Sequence, residues 1–289
     1  MANKILCYGE MLWDVFPGKA VPGGAPMNVA IGLRKLGADV IFLSGCGYDK
    51  NGEELLKYLE DNGVSTQFIR KNDYPTGIVN VSLLEDKDAT YDIVFPSAWD
   101  FIREPADFPA YDVLVYGSLS CRNKTSFETL KSFLELKALR IFDVNLRPPY
   151  IDRKTIELLL LGADIVKMNH EELYHVSGWN GYKSNDLEKA AELVYHKYRI
   201  KVLCVTLGAK GAFLIKGHDK IYQAGFIIKT TDTVGAGDAF LAGFIHNYLK
   251  NKPLQETLDF ACRLGAYVAS REGANPPFLK TSLDKLRTK

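Results

Sequence analysis

Short, mostly apolar segments recur along the chain, and each of them ends in small or polar residues. They are Ile5–Tyr8, Val40–Leu43, Val113–Tyr116, Ile141–Val144, Ile165–Met168 and Val202–Leu207. Short continuous runs of this kind are typical of strands that are buried on both faces of a sheet. The pattern therefore predicts a central, buried sheet.

Helical patterns fill the chain between these strands. In Pro26–Leu36 the apolar residues Val29 and Leu33 share one face, and Gly37 follows as a stop signal. The same spacing recurs in three later segments, 52–62, 124–137 and 186–198. Alternating strands and helices favour an α/β fold with three αβα layers, in which helices cover both faces of a mostly parallel sheet. Ligands of such sheets bind beyond the carboxyl ends of the strands.

One stretch has the alternating pattern of an exposed hairpin instead. Val79 and Val81 alternate with polar residues, Glu85–Asp88 predicts a turn, and the alternation resumes at Tyr91. With the residues around Leu12–Val21, this hairpin could form a small sheet that covers a site or pairs with another subunit in a homodimer. A packing role alone is the alternative. We expect one domain over residues 1–289, with lid segments at about 11–22 and 68–102 inserted in it.

Composition places the chain among ordinary globular proteins, since 47% of its 289 residues are hydrophobic and 25% are charged. A formal net charge of +1 gives no field suited to nucleic acid or an anionic membrane, so we expect a small-molecule ligand. No apolar run approaches the roughly 18 residues of a membrane span. The five cysteines stand alone, and the first residues lack the pattern of a signal peptide. These features predict a cytoplasmic protein.

A glycine turn lies between the apolar run Phe226–Ile228 and the helical pattern Ala239–Leu249, which predicts a strand, a turn and a helix start. Glycine permits positive φ angles and a close backbone approach. The amides of Gly235, Ala236 and Gly237 could therefore converge on an anion, which the helix dipole also favours. A phosphate suits such a turn.

Asp238 directly follows this turn and is the candidate catalytic base. It could orient a substrate hydroxyl and accept its proton as the oxygen attacks a γ-phosphoryl group. A helix amino terminus is expected to lower the pKa of this carboxyl and weaken it as a base, but a loose phosphoryl-transfer transition state needs little deprotonation before attack. The alternative is that Asp238 is a helix N-cap.

Other nucleotide and metal motifs are missing from the sequence. There is no GxxxxGKS/T phosphate loop, and the glycines around Gly45 and Gly47 do not complete a dinucleotide fingerprint. His170-Glu171 is followed by His175, one residue too late for the HExxH pattern. We therefore expect no zinc.

Two segments together resemble the two signatures of the PfkB, or ribokinase-like, carbohydrate kinases: Pro22–Ala30 and Asp232–Phe240. Further family elements follow in the family's order, namely Gly9-Glu10, Asp143–Arg147, Asn169–Leu173 and Val205–Gly208. The resemblance spans nearly the whole chain. It implies a ribokinase-like fold with a small β-sheet lid, and it implies transfer of a phosphoryl group from ATP to a hydroxyl of a small sugar.

The same resemblance implies a sugar pocket. By position, Asp14, Gly24 and Asn28 would contact sugar hydroxyls, and Asn145 and Arg147 would border the pocket. Carboxylate and amide groups can hydrogen-bond vicinal hydroxyls, and paired glycines would let the sugar lie close to the backbone. Without the resemblance, Asp14 would be interpreted as a turn residue and Asn28 as a solvent-facing residue of a first helical turn.

On the nucleotide side, Asn169 and Glu172 match the family's NxxE pattern. The family uses this pattern to organise Mg²⁺ and its waters around the ATP phosphates, with the contact of Glu172 through water. The same spacing is that of a helix capping box, and the two roles can coexist. Thr206, Gly208 and Gly211 resemble the nucleotide-binding loop.

A late segment, Gly273–Asn275, resembles the family's stretch near the adenine and a monovalent-cation site. Asn275 is thereby implied as a nucleotide contact, and Asp232 would border a site for K⁺. The sequence departs from many relatives at Tyr48, where an acidic residue is common, but no catalytic assignment depends on that position.

The choice of sugar follows from the resemblance alone. Pro22–Asn28 and Asp143–Arg147 look most like the fructokinase branch, so fructose is the expected substrate. The alternatives on the same fold are ribokinase and 2-keto-3-deoxygluconate kinase. Arg147 could pair with the carboxylate of the keto acid.

Two further functions stay open. A nucleoside kinase would need an aromatic slot for a base, which Trp13, Phe16 and Trp99 could supply. A non-catalytic sugar sensor is the alternative from another class, and loss of the base would be its mark. Asp238 is present in this chain.

Overall fold

The computed structural model describes residues 3–83, 89–278 and 280–288. Its strands are β1 (Lys4–Tyr8), β2 (Leu12–Phe16), β3 (Lys19–Gly23), β4 (Asp39–Gly47), β5 (Ile69–Asn72), β6 (Gly77–Leu83), β7 (Ala89–Ile93), β8 (Val113–Gly117), β9 (Leu139–Asp143), β10 (Ile165–Asn169), β11 (Val202–Thr206), β12 (Gly211–Lys216) and β13 (Asp219–Ala224). Its helices are α1 (Ala25–Lys35), α2 (Lys50–Asp61), α3 (Lys124–Leu134), α4 (Arg153–Gly162), α5 (His170–Gly178), α6 (Leu187–Lys197), α7 (Ala236–Leu249), α8 (Leu254–Ala269) and α9 (Lys280–Asp284). Each of the six apolar segments named first overlaps a strand, and every predicted helical segment overlaps a helix.

The main sheet has the order β13-β12-β11-β10-β9-β8-β1-β4-β5. All pairs from β11 to β5 are parallel, and β12 and β13 are antiparallel additions at one edge. The prediction of a mostly parallel sheet is confirmed. Strand order reverses at β1, which pairs with β4 on one side and β8 on the other. Open α/β sheets bind ligands at the carboxyl ends of strands near such a reversal.

Side chains of the central strands alternate between two hydrophobic layers. Leu6 and Tyr8 of β1 belong to the layer that contains Leu159 of α4, whereas Ile5 and Cys7 belong to the opposite layer with α1, α7 and α8. Both faces of the sheet are therefore covered, which explains the continuous apolar runs in the sequence. The three αβα layers are confirmed.

A second sheet, which we call the lid, has the order β3-β2-β6-β7. β6 and β7 form the predicted antiparallel hairpin, and β2 joins it through a parallel pairing with β6. The turn expected at Glu85–Asp88 lies outside the described residues. Val79 and Ile93 point inward and are buried in the hydrophobic layer that contains Leu159, which we call the first hydrophobic layer. The lid is therefore anchored on the main sheet.

The segment before the glycine turn differs from the prediction. Phe226–Ile228 is not a strand, because it makes one isolated bridge from Phe226 to Thr288 near the carboxyl end of the chain. Its apolar character comes from burial of Phe226 against α8, and Ile227 is exposed. Helix α7 begins at Ala236, three residues earlier than the apolar pattern indicated.

None of the described helices is long and apolar enough to cross a membrane. The assignment of the whole chain to one domain, with lid segments at about 11–22 and 68–102, stays a prediction.

Candidate active site

The carboxyl ends of the parallel strands bring the sequence-predicted residues to one edge of the sheet. Asp143, Asn169 and Thr206 are the last residues of β9, β10 and β11. Neighbouring strands pair Asn169 with Thr206 and Lys167 with Asp143. The amino end of α7 lies over this edge, since Gly237 faces Lys167 of β10. The site is therefore built where strand ends meet a helix amino terminus.

The glycine turn caps α7 through Gly235. Its φ of 74° is left-handed, and a Cβ there would lie 2.5 Å from Cβ of Ala274. Gly237 does not have the expected positive φ, because it already lies in the first turn of the helix. The N–H of Ala236 donates to the Thr233 carbonyl at 3.3 Å and so serves the turn as well. First-turn N–H groups have no acceptor within their helix, so this terminus suits an anion.

Asp238 is the third residue of α7, and Gly235 is the N-cap, so the N-cap interpretation of Asp238 is wrong. Its Oδ2 accepts a hydrogen bond of 2.8 Å from Nδ2 of Asn28. Burial, together with the Asp143 carboxylate, raises the pKa of Asp238 to about 6. The prediction that the helix amino terminus lowers the pKa of Asp238 is wrong in direction, because the loss of hydration outweighs the effect of the favourable amides. Asp238 is thus a stronger base than predicted, and it is still ionised at neutral pH.

Lys167 is a site residue that the sequence analysis missed. Its Nζ lies 2.9 Å and 3.1 Å from the two carboxylate oxygens of Asp143, and both side chains are buried. Burial lowers the pKa of Lys167, but the charge of Asp143, supported by Glu172 and Asp238, outweighs it and raises the pKa overall. The ammonium is therefore charged beside the helix terminus. The sequence signal that could have identified Lys167 is its position inside the apolar run Ile165–Met168, because a lysine is rarely buried without a partner.

The lid contributes Asp14 from β2. A Cβ on Gly23 would lie 2.1 Å from Asp14 Oδ2, and a Cβ on Gly24 would lie 2.6 Å from the carbonyl oxygen of Glu10. Both glycines therefore make room for protein atoms, whereas the sequence pattern predicted that they admit a sugar. Gly24 has a φ of 108° and is the N-cap of α1. A backbone contact between Gly24 and a sugar stays a prediction.

Glu10 is a second residue without a predicted role. It is 2% exposed, and within the described residues its Oε2 has no hydrogen-bond partner. Burial raises the pKa of Glu10 to about 7 and that of Asp14 to about 6, and the charge of Asp238 contributes to both shifts. Glu10, Asp14 and Asp238 thus crowd three acidic groups into one cleft.

Arg147 supplies positive charge to this cleft from the loop after β9. Its charge lowers the pKa values of Glu10, Asp14 and Asp238, so it lies close enough to act on all three carboxyl groups. The side chain is exposed, and its Nη1 donates to the carbonyl of Leu146. In the same loop, Asn145 has a φ of 40°, and the Ser118 hydroxyl donates to its carbonyl.

Asn169 and Glu172 form the capping box that the sequence allowed. Asn169 Oδ1 accepts from the Glu172 amide, and Glu172 Oε2 accepts from the Asn169 amide, each at 2.8 Å. Oε1 of Glu172 accepts from the Leu146 amide at 2.9 Å and so ties α5 to the loop of Arg147. Burial raises the pKa of Glu172. In the described ranges, no group of three or more His, Cys, Asp or Glu residues could hold a metal ion.

The three residues of the expected nucleotide loop differ in their surroundings. Thr206 ends β11 and is partly buried. Gly208 has a φ of 58°, and a Cβ there would meet no atom within 4 Å, so this backbone is open to a ligand. Gly211 has a φ of 106°, and a Cβ there would lie 1.9 Å from the Gln223 carbonyl. Packing against β13 explains the glycine at 211.

The late segment packs directly on the glycine turn. Asp232 Oδ1 accepts from the Val234 amide at 3.0 Å, and its Oδ2 accepts from the Gly273 amide at 3.2 Å. Nδ2 of Asn275 donates to Oδ1 of Asn28 at 2.7 Å. Asn28 is buried, and both ends of its amide have protein partners, so it is not the solvent-facing residue that the pattern allowed.

The aromatic slot considered for a nucleoside is not built as expected. Trp99 is fully buried, with the Arg122 guanidinium 4.0 Å from its ring centre. Trp13 donates its Nε1 to the Asn51 carbonyl, and Phe16 packs against the first hydrophobic layer. Trp99 therefore cannot line an open slot.

A carboxylate with a raised pKa and a buried ammonium beside an open helix amino terminus are groups suited to transfer of a phosphoryl group to a hydroxyl. The family comparison agrees with this class. The sequence model described as pfkB family carbohydrate kinase matches residues 3–281. The chain belongs to this family, and it is a carbohydrate kinase that uses ATP to phosphorylate a sugar.

Several curated relatives are similar along almost their whole length. Fructokinase-2 of Solanum lycopersicum is 29% identical over 95% of this chain and 93% of the relative. Fructokinase of Vibrio alginolyticus is 28% identical, with 94% of each chain covered.

Solved structures share the fold. A double mutant of fructokinase from Vibrio cholerae O395, with fructose, ADP and potassium ion bound, has a TM-score of 0.84 at 24% identity, over 98% of this chain and 97% of that one. Aminoimidazole riboside kinase from Salmonella enterica, complexed with aminoimidazole riboside and an ATP analogue, has a TM-score of 0.82 at 26% identity, over 98% and 99% of the two chains.

Proposed function

We propose that this chain is a fructokinase, with Asp238 as the base that receives the proton of the attacking hydroxyl. The observation that carries the proposal is the placement of Asp238 between Asn28 and the buried Lys167–Asp143 pair, at the amino end of α7. This arrangement combines a base of suitable pKa with positive charge where a phosphate would develop negative charge.

The reaction proceeds in one displacement. The sugar hydroxyl oxygen forms a bond to the γ-phosphorus, the bond from that phosphorus to the bridging oxygen of ADP breaks, and the hydroxyl proton passes to Asp238. The amides of Gly235 and Gly237, with the Lys167 ammonium, stabilise the charge on the transferring group, and Ala236 holds the turn in shape. The products are ADP and a sugar phosphate, and Asp238 then releases the proton to solvent.

For the sugar, we assign Asp14, Gly24 and Asn28 to the inner wall of the pocket and Asn145 and Arg147 to its rim. Burial raises the pKa of Asp14 to about 6, so a sugar hydroxyl would replace lost water as its hydrogen-bond partner. Asn28 would contribute through Asp238, because its amide is already engaged on both sides.

For the nucleotide, we assign the open backbone at Gly208, with Thr206 and Gly211 beside it, to ATP. Glu172 and Asn169 lie at the same sheet edge and fit Mg²⁺ bound mainly through water. Each oxygen of the Glu172 carboxylate accepts one hydrogen bond from a backbone amide and keeps a lone pair that can accept from water. Mg²⁺ would neutralise charge on the phosphates. Asp232 is our candidate at the border of a K⁺ site, next to the segment that carries Asn275.

Fructose is favoured by the curated relatives, since those of Solanum lycopersicum, Vibrio alginolyticus and Escherichia coli are all called fructokinases. An ATP-bound relative from Pyrococcus horikoshii at 28% identity and a TM-score of 0.80 supports the nucleotide. Two substrates compete. Exposed Arg147 favours 2-keto-3-deoxygluconate, and the riboside kinase of Salmonella enterica favours a riboside.

An ADP-release assay with ATP and Mg²⁺ tests the proposal across fructose, ribose, 2-keto-3-deoxygluconate, tagatose and aminoimidazole riboside. We expect the highest kcat/KM with fructose. A higher value with the keto acid would place Arg147 at the centre of substrate recognition. A higher value with the riboside would show that the substrate is a riboside and not fructose. No turnover with any of them would favour a sugar sensor.

We also place the enzyme in the cytoplasm, because all five of its cysteines are buried and unpaired, as suits a reducing compartment. A homodimer through the lid is proposed on the exposed rings of Tyr91 in β7 and of Phe95 just after that strand. Light scattering after gel filtration measures the mass, and a monomer for the wild type would reject the dimer.

A further inference from the structure

The Asp238 carboxylate is the end of a chain of hydrogen bonds that starts in the late segment of the sequence. Asn275 Nδ2 donates to Asn28 Oδ1 at 2.7 Å, and Asn28 Nδ2 donates to Asp238 Oδ2 at 2.8 Å. The three residues come from the loop before α9, from α1 and from α7. No local sequence pattern links them, so the fold alone creates this contact.

The order of donors and acceptors fixes the direction of the Asn28 amide. An asparagine side chain has a donor end and an acceptor end, and a rotation by half a turn exchanges them. Asn275 presents an N–H group and the ionised Asp238 carboxylate only accepts, so both contacts place the Asn28 oxygen toward Asn275 and its NH₂ group toward Asp238. The reverse orientation would set two donors against each other and an oxygen against the carboxylate. Asn275 and the Asp238 carboxylate therefore favour the same orientation of Asn28, and Asn275 holds the oxygen end of that amide.

Asn275 is itself held on several sides. Its side chain hydrogen-bonds the phenol of Tyr58, an interaction that opposes the rise which burial causes in the pKa of that phenol. Its carbonyl accepts from Lys35 Nζ at 2.5 Å. The preceding residue, Ala274, packs against Gly235 of the glycine turn. Asn275 is thus fixed relative to both the base and the anion-binding turn.

We infer that Asn275 is a positioning residue for phosphoryl transfer: its side chain fixes the orientation of Asn28, and Asn28 aims the Asp238 carboxylate at the acceptor hydroxyl. This inference rests on the proposed function. It differs from the nucleotide contact that the family resemblance implies, because Nδ2 of Asn275 already donates to Asn28 and the same side chain hydrogen-bonds the Tyr58 phenol. Asp238 keeps Oδ1 for the hydroxyl proton, since Oδ2 is bonded to Asn28.

The Asn28 hydrogen bond also lowers the pKa of Asp238 against the effect of burial. Loss of correct Asn28 orientation should therefore make Asp238 protonate at a higher pH. Other charged groups act on the same carboxyl and are unchanged by a substitution at 275; they are Asp143, Lys167, Arg147, Glu10 and Asp14. A shift in the acidic limb of the pH profile would thus report on the Asn28 bond.

Asn275→Asp is the decisive variant, because it keeps the shape of the side chain and removes the donor. Its carboxylate attracts the NH₂ group of Asn28 and turns the Asn28 oxygen toward Asp238. We expect kcat to fall by about tenfold or more, the acidic limb of kcat/KM for the sugar to move to higher pH, and KM for ATP to stay within about twofold. Asn275→Ala removes the donor without adding a charge, and it should give a smaller change in the same direction.

Asn180→Asp is the matched control. Asn180 donates to the Val176 carbonyl at 3.1 Å at the end of α5, outside the cleft. It should leave kcat and the pH profile unchanged. A higher KM for ATP in Asn275→Asp, with an unmoved acidic limb, would make Asn275 a nucleotide contact and overturn the inference.

A measurement without turnover separates this inference from the proposed function. In protein labelled with ¹⁵N-asparagine, the side-chain NH₂ signal of Asn28 should titrate with Asp238 in the wild type, and in Asn275→Asp this response should be lost or displaced. If the wild type phosphorylates no sugar but the signals behave in this way, the function is wrong and the positioning stands. If the wild type is active and both proteins titrate alike, the positioning is wrong.

Discussion

Replacement of Asp238 by asparagine tests the base with little change in shape. An asparagine oxygen can still accept the hydrogen bond that Asn28 now donates to Asp238 at 2.8 Å. The variant loses the negative charge and the ability to take up the hydroxyl proton. Asp238→Asn therefore separates proton acceptance from the hydrogen bonding that holds the residue in place.

The catalytic loss should be large. Removal of a general base lowers turnover by roughly a hundredfold or more, which corresponds to about 2.7 kcal/mol of transition-state stabilisation. KM for fructose should change little, because Asp14 and the rim residues are untouched. The measurement is kcat from coupled ADP release at saturating ATP, and near-normal turnover would refute the role of Asp238.

The same variant should be more stable than the wild type at neutral pH. Burial raises the pKa of Asp238 from 3.8 to about 6. The folded state therefore binds this proton more tightly than the unfolded state, and ionisation above pH 6 costs up to about 3 kcal/mol. This cost fades as the pH falls toward 4. The gain in Tm should follow the same course, at roughly 2 to 4 °C per kcal/mol.

The control for stability is Asp152→Asn. Asp152 caps α4 by accepting from the Thr155 amide at 2.8 Å, and its hydrogen bonds to Thr155 lower its pKa. Its replacement should not raise Tm at pH 7 and should leave turnover unchanged. An Asp238→Asn protein that melts at or below the wild-type temperature at pH 7 would refute the argument from burial, whatever its turnover.

Four further experiments test other parts of the structure. Lys167→Met should lower kcat by about tenfold or more, because it removes the ammonium beside the helix terminus. It should also lower Tm, because the buried Asp143 carboxylate loses its partner. Normal kinetics would show that Lys167 has no role in the reaction. Gly237→Val should lower kcat, since the added Cβ would lie 3.2 Å from Lys167 Nζ, whereas Gly162→Val adds its side chain in open space at the end of α4 and should leave kcat unchanged. Equal kinetics for the two variants would contradict the close approach. Gly211→Ala should lower Tm more than Gly208→Ala. The Cβ added at 211 would lie 1.9 Å from the Gln223 carbonyl, whereas the Cβ added at 208 would meet no atom within 4 Å. A larger loss of Tm in Gly208→Ala would show that the packing at Gly211 tolerates a side chain. Glu10→Gln should raise Tm at pH 8 more than at pH 5, because burial raises the pKa of Glu10 to about 7 and the ionised form is the costly one; a lower Tm at pH 8 would mean that the charge of Glu10 is needed for folding.

The sheet and its helices could be predicted because the apolar pattern of each segment directly reflects which of its faces are buried. A strand such as β8 is buried on both faces, so its sequence is apolar without interruption. The lid hairpin alternates because its inner residues Val79 and Ile93 are buried and its outer residues face water. The capping box of Asn169 and Glu172 was also readable, since its two residues lie three positions apart.

Phe226–Ile228 shows where this reasoning fails. A run of three apolar residues is compatible with a strand, but Phe226 is apolar because it packs on α8, and Ile227 is exposed. Trp99 failed as a slot residue for a related reason. Its chain neighbours did not reveal that Arg122, more than twenty positions later, covers the ring.

The chemistry of the site depended most on contacts that no local pattern encodes. The Lys167–Asp143 pair joins residues 24 positions apart through two adjacent strands, and the contacts of Asn28 with Asp238 and Asn275 span 210 and 247 positions. The start of α7 matters in the same way. With the helix beginning at Ala236, Asp238 becomes a first-turn residue that points into the cleft, so burial, and not helix capping, sets its pKa. A motif can therefore identify the residue type that the reaction needs, whereas the strength of that residue as a base is decided by partners that only the folded chain brings to it.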